Sequence, residues 1–479
     1  MLKIIEFGRK TAPDIIYLKT LCLIVRIKIL LMGCLFGKMK NFKHIIPFLM
    51  TLLFLATPNT FWAQDSNWPW VPNGENFQIT KNLGDHFSPS VATNGGIYLA
   101  VWYVSTPSGF DIYGARITKE GKILDEEEIQ ICTAPNDQMF PSVAWDGINF
   151  FVVWQDRRNG KRWDIYGTRV SIFGKVLNPD GIPIALGKST NDQISPVLSF
   201  DGESYIVVWQ GKVTSKVWNV YFSMVSVSKD GEVTVKGKKA ICPIPKNQIS
   251  PAVAFNGENY FVVWQDFRSG KFWDIYGARV TTSGNVFDED KDGIPISPIV
   301  NHDINGWDKW RPVISWNGGF FLVIWVASQE EWYLEGKRVD VRGFPDLYDV
   351  PIQKDTTNKI FPAILWDGKE TLLVWEEEPE GESKIFWVSL LPQYKPFIMS
   401  EVVEISSPET GMKDASIPGI SKVEDEVLVI WQGKGLEGNW QIYGQRLKKS
   451  TGDSYSGSGM KGVQNRGSSL GSFPDKFFS

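Results

Sequence analysis

A proline is followed thirteen residues later by a tryptophan at seven places along this chain of 479 residues. The distance from one of these prolines to the next varies between 50 and 61 residues, whereas the spacing inside each pair is constant. A constant interval within a variable period predicts one supersecondary unit that is copied along the chain, with loops absorbing the differences in length. These repeat prolines and repeat tryptophans are Pro89/Trp102, Pro141/Trp154, Pro196/Trp209, Pro251/Trp264, Pro312/Trp325, Pro362/Trp375 and Pro418/Trp431.

The second repeat shows the strands of one unit most clearly. Asp146-Gly147 is a tight-hairpin signal between two β-rich runs, of which the first begins at Pro141 and the second ends at Trp154. A loop at Asn159-Gly160 and a turn at Gly174 separate two further strands. Each repeat therefore predicts four short antiparallel strands.

The second strand of each unit is apolar on both faces, as in Phe150–Trp154 and Tyr260–Trp264. Since a strand buried on both faces need not alternate, each sheet is expected to be covered on both sides. Seven such four-stranded sheets predict an all-β fold, the seven-bladed β-propeller. Repeat seven ends after its third strand, and we expect an N-terminal strand at 76–81 to close this last blade, so that the propeller covers 76–449.

The N-terminal region predicts an exported protein. A basic segment and the apolar run 45–55 indicate a signal peptide over 39–63, which makes 1–38 an upstream extension and Met39 the true start. The alternative is a lipobox-like sequence that ends at Cys34. Either way the body is expected to be secreted or held in the cell envelope.

The remaining segments and cysteines complete this outline. Residues 64–75 are interpreted as a linker and 450–479 as a flexible Ser/Gly-rich tail. No segment after Leu55 has the roughly 20 apolar residues that a bilayer span needs, so no membrane span is expected in the mature chain. Cys132 and Cys242 are predicted to be buried free thiols.

One repeat motif resembles that of a known group of proteins. Repeats two and four both contain Val-Val-Trp-Gln-Asp-x-Arg-x-Gly, followed by Trp-Asp-Ile-Tyr-Gly-x-Arg-Val. This motif resembles the repeats of secreted bacterial and archaeal β-propeller proteins, and the resemblance covers 76–449. It implies the fold and an extracellular setting, but no activity. The Ser-x-Asp-x-Gly-x-x-Trp boxes of sialidases and a regular WD pattern are not found in the sequence.

Composition excludes several function classes. A net charge of −4 gives no electrostatic reason to expect a nucleic-acid partner. The chain has three histidines, and it lacks a phosphate-binding loop, Gly-x-Ser-x-Gly, His-Glu-x-x-His and Cys-x-x-Cys. These absences argue against a nucleotide enzyme, a common serine hydrolase and a zinc protease.

Polar residues that recur in several repeats are expected to build the blades. Asp164 and Arg169 of the Asp-Ile-Tyr-Gly-Thr-Arg segment recur in other repeats, and we interpret them as bonded within each blade. An Asp or Asn stands four residues before every repeat proline. One interpretation of this recurrence is a local Asx-turn, and the other is a ring of carboxylates and amides that holds a cation at the channel mouth.

Departures from the repeat cluster in repeats five and six, where a unique site is expected. The alternatives are a carbohydrate cleft and a solvated acidic loop with Trp310 at the edge of the channel. Paired carboxylates would suit glycoside hydrolysis if they were roughly 5–10 Å apart. If the protein is an enzyme, the candidate catalytic residues are Asp308, Glu330, Glu376 and Glu377. The ligand-binding candidates are Trp307, Trp310, Arg311, His302, Glu331 and Glu378.

One segment has the spacing of the first half of a calcium-binding loop. Asp288, Asp290 and Asp292 are candidate ligands of a structural calcium ion. Ile299 stands where the closing Glu would be, and a similar segment in repeat two favours a plain turn as the alternative.

These observations favour a non-catalytic, monomeric binding propeller for an extracellular polysaccharide or surface protein. The alternatives are a polysaccharide hydrolase or lyase that uses carboxylates of repeats five and six, and a structural envelope protein. Fold alone does not choose among them, since propellers carry many functions.

Overall fold

The computed structural model describes residues 70–81, 84–188, 191–288, 292–297, 307–328, 331–353, 356–394, 397–406 and 412–449. The predicted signal peptide, upstream extension and tail lie outside these residues, as do Asp290, Ile299, His302 and Glu330. Within them the fold is all-β, apart from one short 3-10 turn at Pro379–Gly381.

The strands form seven antiparallel sheets, one for each repeat. Two short strands, β1 (Trp70–Pro72) and β2 (Phe77–Gln78), precede the first repeat. Blade one contains β3 (His86–Thr93), β4 (Ile97–Thr106), β5 (Gly109–Thr118) and β6 (Ile129–Cys132). Blade two contains β7 (Gln138–Trp145), β8 (Asn149–Asp156), β9 (Asp164–Ser171) and β10 (Ile182–Ala185). Blade three contains β11 (Gln193–Phe200), β12 (Ser204–Lys212), β13 (Trp218–Val227) and β14 (Val233–Ala240).

The remaining blades follow the same order. Blade four contains β15 (Gln248–Phe255), β16 (Asn259–Asp266), β17 (Asp274–Thr281) and β18 (Ile294–Pro295). Blade five contains β19 (Lys309–Trp316), β20 (Phe321–Ser328), β21 (Trp332–Val339) and β22 (Val350–Gln353). Blade six contains β23 (Lys359–Trp366), β24 (Thr371–Glu377), β25 (Lys384–Leu391), β26 (Ile398–Met399) and β27 (Val403–Glu404). Blade seven contains β28 (Lys413–Val423), β29 (Glu426–Lys434) and β30 (Trp440–Lys449).

The first strand of each blade lies innermost. The first strands of consecutive blades contact one another, and β28 contacts β3, so they form a closed ring. This confirms the seven-bladed β-propeller. The second, third and outer strands follow in order away from the axis.

An N-terminal strand closes the last blade, as predicted. Both β1 and β2 pair antiparallel with β30, and β2 lies within the predicted segment 76–81. The closure also includes β1, in the segment that was interpreted as a linker. The buried Trp70 anchors it, because its indole Nε1 donates to Asp367 of blade six at 3.1 Å.

The core lies between neighbouring blades. All seven repeat tryptophans are completely buried on the second strands. The cluster around Trp264, for example, joins Ile206 and Phe222 of blade three to Tyr260 and Val262 of blade four. Cys132 and Cys242 are buried and neither forms a disulfide with the other, as predicted.

Every inner strand carries a bulge at the residue before the repeat proline. These seven residues have φ between 48° and 55°, in the left-handed region that non-glycine residues seldom adopt. They are Ser88, Phe140, Ser195, Ser250, Arg311, Phe361 and Ile417. The bulge shifts the register of the inner strand, as between Ile194 and Val197 in blade three. It frees the backbone N–H of the bulged residue for a bond to the neighbouring blade.

Candidate functional site

One face of the propeller collects the loops that depart from the repeat. Gln138 at the start of β7 lies beside Asp156 at the end of β8, which lies beside Asp164 at the start of β9. The loop before each repeat proline and the loop after each repeat tryptophan therefore lie on the same face, which we name the proline face.

The Asx residue four positions before the repeat proline links neighbouring blades. In blade three, Asp192 Oδ1 accepts the backbone N–H of Trp163 in blade two at 3.1 Å. The carbonyl oxygen of Asp192 accepts the N–H of Lys212 in its own blade at 2.8 Å. The same side-chain bond occurs in the pairs Asp137/Phe110, Asn247/Trp218, Asp308/Trp273, Asn358/Trp332 and Asp85/Trp440. We call this bond between neighbouring blades the clamp. Neither of the two interpretations of the Asx residues, a local turn or a ring that holds a cation, predicted it. The catalytic candidate Asp308 is one of the clamp residues.

The clamp predicts how Asp308 variants will behave. Asp308→Ala removes the acceptor of the Trp273 N–H, and we expect a loss of about 1–3 kcal/mol of unfolding free energy. Asp308→Asn should cost less than about 0.5 kcal/mol, because Asn247 and Asn358 make the same bond in other blades. Urea unfolding followed by tryptophan fluorescence measures both. Equal losses in the two variants would contradict the clamp and favour a role for the carboxylate charge.

A second ring of side chains bonds the bulged residues. The residue after the repeat tryptophan accepts the N–H of the bulged residue in the next blade, as Gln155 does from Ser195 at 3.1 Å. Gln210, Gln265 and Gln432 make the same bond at 2.8–2.9 Å. In blade six this position is Glu376, which accepts from Ile417 at 3.3 Å. A carboxylate therefore stands where four other blades have an amide.

Glu376 is a buried carboxyl in an unusual environment. Its side chain also accepts from Ser383 Oγ at 2.9 Å. Burial raises the pKa of Glu376 to about 7. Ser383, the Ile417 N–H and Arg311 act to lower this pKa, whereas Glu378 has a smaller raising effect. Both protonation states are therefore populated near neutral pH.

Arg311 is the cation among the bulged residues, since the equivalent positions hold Ser, Phe or Ile. Its guanidinium lies over the ring of Phe361, the bulged residue of blade six, at 4.0 Å from the ring centroid. The side chain of Arg311 is reached by solvent, although protein atoms lie around it. The partial loss of water lowers the pKa of Arg311, and the charge of Glu376 acts to raise it. Arg311 and Glu376 therefore interact through their charges, without a direct ion pair.

The guanidinium of Arg311 makes no hydrogen bond to any residue that the structure describes. Most other arginines of the described chain bond a carboxylate or an amide, as Arg116 does with Asp125 and Arg268 with Asp266. Arg157 is the exception on the proline face, where it lies 5.9 Å from the ring centroid of Trp163. The five N–H donors of Arg311 therefore have no acceptor among the described residues, while the side chain packs against an aromatic ring.

Two other site candidates in the described residues have partners of their own. Glu377 is buried and accepts from Trp375 Nε1 at 2.9 Å, and Lys359 Nζ lies 3.6 Å from it. Glu376 and Glu377 are consecutive in β24, so their side chains point to opposite faces of the sheet. Trp310 stacks on Trp332 with ring centroids 6.0 Å apart.

Three further candidates form no hydrogen bond, ion pair or ring contact within the described residues. Trp307 is 40% exposed, Glu331 is half-buried and Glu378 is exposed. Of the predicted residues in the described chain, the structure brings together Arg311, Glu376 and, through its charge, Glu378. Phe361, Ser383 and Ile417 were missed. Alignment of the residues before each repeat proline would have indicated Phe361 and Ile417.

Two of the candidate calcium ligands, Asp288 and Asp292, lie in the described residues. Both carboxylate oxygens of Asp288 accept from Arg279, at 2.9 and 3.1 Å. The same Arg-to-Asx bond recurs in blade one as Arg116–Asp125 and in blade two as Arg169–Asn178. Asp292 adopts a left-handed turn conformation with φ of 54°. No group of three acidic, His or Cys side chains in the described residues could hold a metal ion.

The recurring Asp164 and Arg169 are bonded within their blade, but not to each other. Asp164 accepts from Asn159 at 2.7 Å and from Arg162 at 3.1 Å. Arg169 donates to Asn178 at 3.0 Å. In blade two these residues therefore make two separate bonds.

Comparison with known proteins gives similarities of fold alone. No protein-family model and no curated protein matches the sequence. A Dyadobacter fermentans protein of unknown function is 11% identical with a TM-score of 0.46, covering 80% of this chain and 100% of that one. A neuraminidase-like protein of A/flat-faced bat/Peru is 10% identical with a TM-score of 0.44, covering 81% and 95%. An α-L-arabinofuranosidase from Lactobacillus brevis is 10% identical with a TM-score of 0.33, covering 62% and 86%. Similarities this low carry no conclusion about activity or ligand.

The described part of the chain contains no helix that is long and apolar enough to cross a membrane.

Proposed function

We propose that this chain is an exported binding protein that recognises an extracellular saccharide at the proline face and does not cleave it. The observation that carries the proposal is the guanidinium of Arg311, which lies over Phe361 and has no hydrogen-bond acceptor in the described protein. Oriented, unused donors next to a carboxyl group suit the hydroxyl and carboxylate groups of sugars. Export remains a prediction from residues 39–63.

The engagement of the recurring polar groups supports this assignment. The Asx residues clamp neighbouring blades, and the glutamines after the repeat tryptophans bond the bulges. The carboxylates Asp156 and Asp266 accept from the indoles of Trp154 and Trp264. Arg311 and Glu376 therefore stand out as charged departures from positions that are neutral in the other blades.

A hydrolase is the second candidate, because one observation favours it. A carboxyl with its pKa raised to about 7 suits a general acid. Glycoside hydrolysis also needs a second carboxylate on the other side of the scissile bond. Glu377 points to the opposite face of the sheet and Asp308 is held in the clamp. The binding assignment is therefore the better supported one.

A polysaccharide panel tests the proposal with the full chain. Neutral and acidic polysaccharides would be assayed in the same tubes for co-sedimented protein and for released reducing ends. We expect retention by at least one polysaccharide without product, and a loss of at least about tenfold in affinity for Arg311→Ser. Product release that Glu376→Gln abolishes would establish the hydrolase instead, and a complete lack of retention would contradict saccharide binding.

Two features make Arg311→Ser an informative variant. Serine is the natural residue at the equivalent positions 195 and 250, so the substitution should keep the bulge and the fold. Arg157→Ser is the matched control, because Arg157 is also exposed on the proline face over an aromatic ring. If the two variants lose affinity equally, the effect is one of general charge and Arg311 has no special role.

A further inference from the structure

We infer that Arg311 recognises a carboxylate of an acidic saccharide, and that Glu376 takes up a proton when this carboxylate binds. The inference rests on the proposed function and adds to it the chemical class of the ligand. It also adds a dependence of affinity on pH that a neutral saccharide would not show.

The geometry of Arg311 selects a planar anion. A guanidinium presents parallel N–H donors that match the two oxygens of a carboxylate. The guanidinium carbon lies 4.0 Å from the centroid of the Phe361 ring, and its N–H donors have no acceptor among the described residues, so they remain for the ligand. The backbone N–H of Arg311 is already used by Gln265 at 2.9 Å, so the side chain alone remains for recognition.

The groups that face Glu376 are mostly neutral. Ser383 and the backbone N–H of Ile417 on β28 donate to it. Arg311 on β19 is the cation that acts on it, and Glu378, the residue after β24, is the anion. The Phe361 ring of β23 lies beneath the Arg311 guanidinium.

Nearby charges at the start of β28 are already paired. Lys413 lies 3.7 Å from Glu382, and Asp414 lies 3.9 Å from Lys434. They are therefore not free to compensate a second negative charge beside Glu376.

A bound carboxylate at Arg311 would bring a second anion close to Glu376. Two like charges in one partly dehydrated site raise the pKa of one of them, so Glu376 would bind a proton from solvent. Since its pKa is already about 7, this proton uptake occurs at neutral pH. The protonated carboxyl can then donate a hydrogen bond to the ligand.

The proline face favours an acidic saccharide over an acidic peptide. Half-buried tryptophans of two other blades, Trp218 and Trp440, also lie on this face. Tryptophan rings stack on the apolar faces of sugars, and the guanidinium of Arg311 suits a sugar carboxylate. A saccharide chain bearing regular carboxylates would match this combination.

Titration calorimetry with a galacturonic acid hexamer tests the inference on the full chain. The fully methyl-esterified hexamer is the matched ligand, because it has the same sugars without the negative charge. We expect affinity for the acidic hexamer to fall about tenfold from pH 6 to pH 8, since the protonated fraction of a group with a pKa near 7 falls by that factor. Repeating the titration in buffers of different ionisation enthalpy should show uptake of about half a proton at pH 7.

Two variants and one control variant separate the roles of Glu376 and Arg311. Glu376→Gln should bind equally at both pH values and take up no proton, because an amide does not titrate. Arg311→Ser should lose at least about tenfold at pH 6, and Arg157→Ser should stay within about twofold.

The outcomes distinguish this inference from the function on which it rests. Equal binding of the acidic and esterified hexamers would leave saccharide binding intact and overturn recognition of a carboxylate. Equal binding of a glutamate hexapeptide would overturn the saccharide class. Binding without proton uptake would overturn the role of Glu376, and no binding of either hexamer, together with no retention in the polysaccharide panel, would sink both proposals.

Discussion

Replacing Asp266 with alanine is expected to destabilise the propeller by about 3–5 kcal/mol, because it leaves a partly buried cation and two buried donors without their acceptor. Asp266 is completely buried at the end of β16. Its carboxylate accepts from Trp264 Nε1 at 2.9 Å, from Gln248 Nε2 at 3.1 Å and from Arg268 Nε at 2.8 Å. Urea unfolding followed by tryptophan fluorescence measures the loss.

Two comparison variants make this test of Asp266 specific. Asp266→Asn keeps an acceptor for the Trp264 indole but removes the charge that pairs with Arg268, so its loss should be smaller. Glu258→Ala in the exposed hairpin of the same blade should stay within about 0.5 kcal/mol. A loss below about 1 kcal/mol for Asp266→Ala would show that the carboxylate does not organise the blade.

Blade three shows how the fold manages without this carboxylate. Gly211 occupies the position of Asp266, and Trp209 Nε1 donates to Gln193 at 2.8 Å. The cation comes from the outer strand: Lys238 donates to the same Gln193 oxygen at 2.6 Å and lies 3.9 Å from the centroid of Tyr221. Arg268 lies over Tyr276 in the same way, at 3.7 Å. The indole, acceptor, cation and aromatic ring are thus kept, although different strands supply them.

The fold could be predicted because recurrence is visible in a single sequence. The constant interval from proline to tryptophan spans the inner strand, its hairpin and the second strand, which are contiguous in the chain. The missing outer strand of blade seven could be predicted from counting, since an open blade leaves an unpaired edge. The start of the closing strand at Trp70 could not, because its burial depends on Asp367 in another blade.

The roles of the acidic residues were harder to predict because their partners are remote in sequence. Asp192 bonds the N–H of a residue 29 positions earlier, in the preceding blade, so its sequence neighbours suggest only a local turn. Glu376 and Glu377 resemble a solvated acidic loop, but β24 continues through Glu377 and buries both side chains. A strand that extends two residues past the repeat tryptophan also occurs in β8, where Asp156 is the last residue.

The candidate site was predictable in part. Arg311 and Glu376 were both selected as departures from the repeat. Arg311 and Glu376 come close because β19 has a bulge at Arg311 and because side chains of each blade bond the bulge of the next blade. The spacing of residues in the sequence does not show either feature. Comparing equivalent positions of the repeats is more informative than comparing their loops. Where every blade makes the same backbone bond, a residue that differs from its equivalents is one that the fold does not require.

Glu376→Gln is expected to stabilise the protein at alkaline pH while it removes the pH dependence of binding. Burial raises the pKa of Glu376 from 4.5 to about 7 in the folded protein. The folded state therefore holds the proton of Glu376 more tightly than the unfolded state does. The resulting contribution to the unfolding free energy is fully present below pH 4.5 and is lost as pH rises through 7. The loss at pH 8 amounts to at most about 3 kcal/mol. Glutamine makes the equivalent bond in four other blades and does not titrate.

Unfolding free energies of wild type and Glu376→Gln, measured between pH 5 and pH 8.5, give this contribution as a difference. Other titrating groups, such as Asp274, whose pKa burial raises to about 6, act in both proteins and largely cancel. The reciprocal variant Gln265→Glu should lose stability over the same pH range, because it buries a carboxyl at an equivalent position. If the unfolding free energies of wild type and Glu376→Gln change in parallel with pH, Glu376 ionises without a cost to stability. The presence of glutamate instead of glutamine would then need no functional reason. A gap that opens above pH 7 would show that the chain keeps a carboxyl that weakens its own fold, beside an arginine that the fold does not use.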